Sequence, residues 1–370
     1  MAKNLIFIVI VILIAGALVY LSYLRKSEIT KEVILGATLP LTGDVSNLGV
    51  DAKNAIELAV KEINQAGGIK GKQVKVIFED DKCDPKLSVD TVNKLINLDK
   101  VKIIFGPFCS GASLSAVPVA QQNKVLMISG SATNPKLSNF PLYFRTIPSD
   151  AEQGRFGAEY VFNKLNKRKV AIAYVQNDYG VGLKDAFKKR FEELGGKVVI
   201  ELEHQEGATD LRTNIAKIKN ANPELIYLVA YPKDGGNFLK QLYELNVKVP
   251  VFGSESLEFP DIIDIAKKAA EGVIFTRAKE IKNEDFINRY KSAYNTEPGA
   301  YASFYYDAAK IIFRGIENCN LDIDCLRNFL VNNKFSGVTG EIDFDENGDV
   351  INKEFMLKII KNGKFEIYEE

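Results

Sequence analysis

Residues 33–78 read VILGATLPLTGDVSNLGVDAKNAIELAVKEINQAGGIKGKQVKVIF, and two periodicities within them decide the fold. Val33–Leu39 and Val74–Phe78 are short apolar runs rich in Val and Ile, the pattern of strands buried on both faces. Between them Ala52, Ala55, Ile56, Ala59, Val60 and Ile63 recur at helical spacing, and Gly67-Gly68 supplies the stop. Strand, helix, strand is the unit of an α/β protein. Further strand runs follow at Ile103–Phe105, Val125–Ile128, Val170–Val175, Val198–Ile200, Leu225–Val229 and Val273–Phe275. The alternation runs once to about Ile147 and again from about Asp150, which fits two open doubly wound sheets better than one barrel. Thr146-Ile147-Pro148-Ser149 is the expected first crossing between them. After Ala278 come helical patterns at Glu284–Tyr294, Ala300–Glu317 and Asp324–Val331, then strand signals at Gly340–Phe344 and Glu354–Ile360.

A chain of 370 residues with 46% hydrophobic content has the material for two lobes of ordinary size. Lys plus Arg balance Asp plus Glu at 48 each, with no basic stripe interleaved with aromatics, so nucleic acid is not an expected partner. The single histidine, His204, excludes motifs that need two imidazoles, and its pattern reads as a surface residue.

Leu5 through Leu24 is almost unbroken apolar sequence, twenty residues, long enough for a hydrocarbon core of roughly 30 Å. A secretory signal with Ala15-Gly16-Ala17 as cleavage site is the competing reading. The length favours an uncleaved anchor, and either reading exports the body of the chain. No cysteine follows the apolar stretch, so a lipid anchor is not supported. The four cysteines fall as Cys83 with Cys109 and Cys319 with Cys325, neither at metal or redox spacing. Two local disulfides are the natural pairing in an oxidising compartment, although sequence permits three connectivities and four reduced thiols are the alternative.

Ligands of open α/β sheets bind beyond the carboxyl ends of the strands. Two loops at such positions are unusual. Gly106-Pro107-Phe108-Cys109-Ser110-Gly111-Ala112-Ser113 leads into a helical pattern, exposing backbone N–H groups that favour an anion such as a carboxylate. Ser129-Gly130-Ser131-Ala132-Thr133-Asn134-Pro135 is again small, polar and helix-breaking. Enzyme motifs are missing: no G-x-G-x-x-G follows the first strand, and there is neither a P-loop nor a G-x-S-x-G turn. A dehydrogenase is therefore the weaker alternative, and no cofactor is implied. Asp343, Asp345, Asn347, Gly348 and Glu354 match the calcium-loop pattern, yet the flanks alternate like strands and Asn347-Gly348 is a hairpin turn. The expectation is a turn without metal.

The chain after residue 31 resembles the type I periplasmic binding proteins of the leucine/isoleucine/valine-binding branch. The resemblance is carried by GATLPLTG (36–43), GGIKGK (67–72), DDKCDP (80–85), GPFCS (106–110), SGSATNP (129–135), NDYG (177–180) and FDENGD (344–349), in that order. It implies two Rossmann-like lobes joined by a three-strand hinge, with lobe 1 from 31–148 and 279–353 and lobe 2 from 149–278 and 354–370. An N-terminal transmembrane or signal helix would precede them at 1–30. The crossings fall near Ile147–Asp150, Ala278–Glu280 and Lys353–Phe355. The resemblance also implies a Cys83–Cys109 disulfide, in agreement with the local pairing, whereas Cys319 and Cys325 lie outside the shared pattern.

Carried over by position, the family site places a ligand carboxylate on Ser110 and Thr133. The ligand ammonium falls to the Ser131 carbonyl, the Thr133 hydroxyl and Glu255, with Ala132 in the same contact set. Tyr179 and Tyr231 cover the ligand, and Tyr301 lines the edge. Where branched-chain binders carry a tyrosine before the glycine that opens the first helix, this chain has Leu48 before Gly49, which leaves side-chain selectivity open. The implied function is an extracytoplasmic binding protein that captures an amino acid by closing its cleft and delivers it to an ABC transporter permease. A membrane-anchored sensor of the same fold, or a binder of short amides or urea, is the alternative.

Overall fold

The structure is a computed structural model that describes residues 32–279 and 281–369. The segment expected to be an anchor or signal lies outside the described residues. Among those residues no helix is long and apolar enough to cross a membrane.

Five strands, β1 (Val33–Leu39), β2 (Val74–Asp80), β3 (Ile103–Phe105), β4 (Leu126–Ser129) and β5 (Tyr143–Arg145), form a parallel sheet in the order β2-β1-β3-β4-β5. The chain then enters a second parallel array, β6 (Lys169–Val175), β7 (Lys197–His204), β8 (Leu225–Val229), β9 (Val251–Gly253) and β10 (Ile274–Ala278). A small antiparallel sheet of β11 (Phe335–Gly337), β12 (Gly340–Phe344) and β13 (Val350–Ile351) follows. The chain finally returns to the second sheet, where β14 (Phe355–Lys361) adds antiparallel to β10 and β15 (Lys364–Ile367) antiparallel to β14, giving β15-β14-β10-β9-β8-β6-β7.

Parallel strands need cover on both faces, and the alternation of side chains delivers it. Ile103 and Phe105 face a core shared with the helices Ser46–Gln65 and Ala302–Cys319, while Ile104 faces another shared with Pro85–Asn97 and Ser110–Gln122. In the second sheet, Asp178–Glu193 buries Leu183, Phe187 and Phe191 on one face. Pro232–Glu244 buries Phe238, Leu239 and Leu242 on the other. The helix Ser46–Gln65 ends as its glycines dictate. Gly67 has φ +105°, and the N–H groups of Gly67 and Gly68 close on the carbonyls of Asn64 and Ile63 at 3.1 and 2.8 Å, a Schellman stop.

Both local disulfides are formed, Cys83–Cys109 with Cα atoms 5.4 Å apart and Cys319–Cys325 at 5.5 Å. The calcium-loop pattern is a turn between β12 and β13. Its carboxylates face different partners, Asp343 meeting Lys334 and Glu354 meeting Lys279, while the adjacent Asp349 meets Arg145. His204 corrects an expectation. It is buried, with Nε2 2.8 Å from Asp234 Oδ2, because the end of β7 packs against the first turn of the helix that Asp234 caps.

Candidate functional site

The carboxyl ends of the strands converge. The loop after β3 delivers Ser110 at the first turn of the helix Ser110–Gln122, next to the Cys83–Cys109 bridge. The loop after β4 delivers Ser131, Ala132 and Thr133, all buried. Ser110 Oγ joins the two loops, accepting from Thr133 N and Asn134 N at 3.3 Å each. Ser131 Oγ donates to the Phe108 carbonyl at 2.7 Å, and Tyr305 Oη lies 2.9 Å from it. Gly130 is required here, since a Cβ would fall within 2.9 Å of the Tyr305 backbone nitrogen. Small residues thus let a helix N-terminus and a run of backbone amides approach one point, an arrangement suited to an anion.

Below this loop Arg145 acts as its support. It is fully buried, its Nε donates to Asp349 Oδ1 at 2.7 Å, Nη2 to Ser138 Oγ at 2.7 Å, and Nη1 to the Asn134 carbonyl at 3.0 Å.

The opposite wall comes from the second sheet. Tyr179 sits in the first turn of Asp178–Glu193, whose N-cap Asn177 accepts from Gly180 N at 3.0 Å. Tyr231 is the N-cap of Pro232–Glu244, held by Asp234 Oδ2 accepting its N–H at 3.0 Å. The two rings stack with centroids 5.5 Å apart. Glu255 follows β9 and is 4% exposed. Gln153 Nε2 donates to its Oε2, and Tyr179 Oη donates to its Oε1 at 3.0 Å. Burial pushes the Glu255 carboxyl above its usual range, with the Gln153 bond opposing. The Arg277 guanidinium also acts against the rise.

One pocket is lined jointly by Ser110 and Ser131 from the first wall and Tyr179, Tyr231 and Glu255 from the second, with Tyr301 at its edge. Leu48, Phe108 and Phe259 complete its apolar part. Of the sequence-derived set, Ala132 and Thr133 do not line this pocket; their N–H groups donate to Ser129 Oγ and Ser110 Oγ. A larger cavity, lined by Arg277, Glu258, Phe286 and Met356, lies apart from these groups.

The structure adds a residue that sequence reasoning missed. Asp150 opens the helix Asp150–Glu159, is 0% exposed, and its N–H donates to the Thr133 carbonyl at 2.9 Å. Neither carboxyl oxygen has a hydrogen-bond partner. Burial and the neighbouring Glu255 carboxylate hold it well above the ordinary carboxylate range, with Thr133 and Arg145 acting the other way.

A cleft of this kind, with small-residue amides on one wall and buried acids on the other, defines a two-walled binder of a small dipolar solute. The chain belongs to the periplasmic binding protein family, whose model matches residues 32–364. A leucine-, isoleucine-, valine-, threonine- and alanine-binding protein of Pseudomonas aeruginosa is 30% identical to it over 345 residues, 91% of each chain. A leucine-binding protein of Thermotoga maritima superposes with a TM-score of 0.84 at 27% identity, covering 91% of this chain and 98% of that one. A branched-chain amino acid transporter substrate-binding protein of Streptococcus pneumoniae, solved with isoleucine, superposes with a TM-score of 0.82 at 26% identity, covering 92% and 100%.

Proposed function

We propose that this chain is an extracytoplasmic solute-binding protein that captures a small neutral amino acid and presents it to an ABC transporter permease. Lobe 1 comprises 31–148 and 279–353, lobe 2 comprises 149–278 and 354–370, and the segment before residue 31 anchors or exports the whole. The observation that carries the reading is the buried Glu255 carboxylate, 4% exposed and held by Gln153 and Tyr179, lining the same pocket as Ser110. A zwitterion leaving water needs both charges met by charge-assisted hydrogen bonds. Ser110, at the positive end of its helix dipole, meets the carboxylate together with Thr133. Glu255 and the Ser131 carbonyl meet the ammonium, while Tyr179, Tyr231 and Tyr301 exclude water. Because the two charges are held from opposite walls, ligand stabilises the closed arrangement, which the permease reads. The pocket's remaining lining is apolar, in keeping with relatives that bind leucine and isoleucine.

The test is a thermal-shift screen of neutral amino acids against short amides and urea. An amino acid at a hundredfold excess over its dissociation constant adds about 2.7 kcal/mol of stability. Glu255→Gln then weakens that ligand by about 2–3 kcal/mol, the worth of a charge-assisted bond. A transition moved by an amide and by no amino acid overturns the reading.

A further inference from the structure

Gln153 is 3% exposed on the helix Asp150–Glu159, yet it does not line the pocket that Glu255 lines. Close packing sets its reach. Gly157, one turn further along the same face, lies where a Cβ would fall 3.3 Å from Phe252 Cε1 of β9 and 3.7 Å from Thr276 Cγ2 of β10. The helix therefore rides directly on the strands that carry the second wall, and the Gln153 side chain extends between them. Its Nε2 donates to Glu255 Oε2 and, at 2.7 Å, to Oγ1 of Thr276, a fully buried residue of β10. An amide nitrogen has two N–H donors and no acceptor, so both are spent on these partners.

The other Glu255 oxygen, Oε1, accepts from Tyr179 Oη at 3.0 Å. An ionised carboxylate offers about four lone-pair sites. The two protein donors take one on each oxygen and leave the rest to the pocket. We propose that Gln153 is a positioning residue for capture, which from outside the pocket anchors Glu255 to β10 and fixes the direction its carboxylate presents to the ligand ammonium. A glutamate without this anchor samples several rotamers, and ordering it would be charged against binding. The amide also favours the ionised carboxylate, opposing the upward push of burial on Glu255.

The inference rests on the amino-acid reading of the site, and a double-mutant cycle on the full chain separates the two. L-leucine, or L-alanine should L-leucine not bind, is titrated by calorimetry into the unaltered chain, Gln153→Met, Glu255→Gln and the double variant. Gln153→Met keeps the length of the side chain and removes the donor. It is expected to weaken binding at least about tenfold alone and less than about twofold on top of Glu255→Gln, because its effect passes through the carboxylate. Equal fold-losses in the two backgrounds would mean a general loss of packing and overturn the role. Undiminished affinity in Gln153→Met overturns it as well. Should no neutral amino acid bind the unaltered chain, the reading of the site fails instead. Gln153→Leu serves as a second donor-free replacement, and a chain that folds with neither shows that the amide holds the lobe together, which also overturns the assignment.

Discussion

Gly182 lies against Asn134 across the cleft: a Cβ on this glycine would fall 2.6 Å from Asn134 Nδ2 and 3.2 Å from Pro135 Cδ. Asn134 follows β4 and Gly182 lies in the helix after β6, so the contact exists only when the two walls meet. The same Asn134 amide donates to the Asp178 carbonyl at 2.5 Å. Glycine in a helix interior costs about 1 kcal/mol relative to alanine, and its presence here is explained by this close approach. Gly182→Leu is expected to leave the ligand-free protein as stable as before or more so, while holding the walls apart. Affinity should fall at least about tenfold, ~1.4 kcal/mol, and the ligand-induced compaction seen by small-angle scattering should disappear. Unchanged affinity would show that this contact is not part of closure.

The turn that resembles a calcium loop instead completes the support under the binding loop. Asp345 Oδ1 accepts from Asn347 N and Asp349 N, both at 2.9 Å, and the Gly348 carbonyl accepts from Arg145 N at 3.0 Å. Asp349 thereby reaches the buried Arg145. Removing one partner of a buried pair leaves an uncompensated charge and costs about 3–5 kcal/mol. Asp349→Ala is expected to destabilise the protein by about that amount and to weaken ligand binding as well, because Arg145 holds the Asn134 carbonyl. Millimolar EGTA should leave the melting temperature unchanged. A shift with EGTA that added calcium reverses would restore the metal reading.

Legibility in the sequence followed length and context. Strands of five or more residues inside the sheets, such as Val33–Leu39 and Leu225–Val229, were evident from their apolar runs. Tyr143–Arg145 and Val251–Gly253, with three residues each, were not, because unlike the equally short but wholly apolar Ile103–Phe105 they carry an arginine or a glycine in the run. The edge strand Lys364–Ile367 alternates charged and apolar residues on an exposed margin and escaped for the opposite reason. At the site, Ser110, Ser131, Tyr179, Tyr231, Glu255 and Tyr301 were reached through motif position, and the fold brings them around one pocket. Asp150 was missed because an acid just after Ser149, in the first turn of a helix, is the ordinary pattern of an exposed capping residue. Its burial arises only in the fold, where its N–H donates to the Thr133 carbonyl of the loop after β4. His204 was misread similarly, since its environment is set by Asp234, thirty residues away.

The two disulfides should separate stability from function. Their sequence separations are 26 and 6, for which loop-closure entropy gives about 3 and about 2 kcal/mol. Replacing Cys83 and Cys109 by serine is expected to lower both stability and ligand affinity, because Cys109 is the N-cap of the helix that presents Ser110. Replacing Cys319 and Cys325 should lower stability alone, since that bridge ties the end of Ala302–Cys319 to Ile323–Asn332, away from the cleft. Chemical denaturation and ligand titration of both double variants test this, and equal losses of affinity would defeat the distinction.

Asp81 gives stability a pH dependence of definite sign. Its side chain is fully buried beside Thr38, whose hydroxyl donates to Oδ2 at 3.1 Å, while Cys83 N donates to Oδ1 at 3.0 Å. Burial outweighs these bonds and pushes the carboxyl up to about 6. An unfolded Asp titrates near ~3.9, so the folded chain holds this proton more tightly than the unfolded one. The stabilisation is complete below about pH 4 and is lost as pH rises through about 6, a change of about 3 kcal/mol. Asp81→Asn keeps an acceptor for Cys83 N without the ionisation. It should therefore melt higher than the unaltered protein at about pH 7.5 and no higher at about pH 4. Burial also raises Asp307, so the variant retains part of the decline. Denaturation measured across this range decides the matter, and a difference between the two proteins that does not vary with pH would exclude Asp81 as its source.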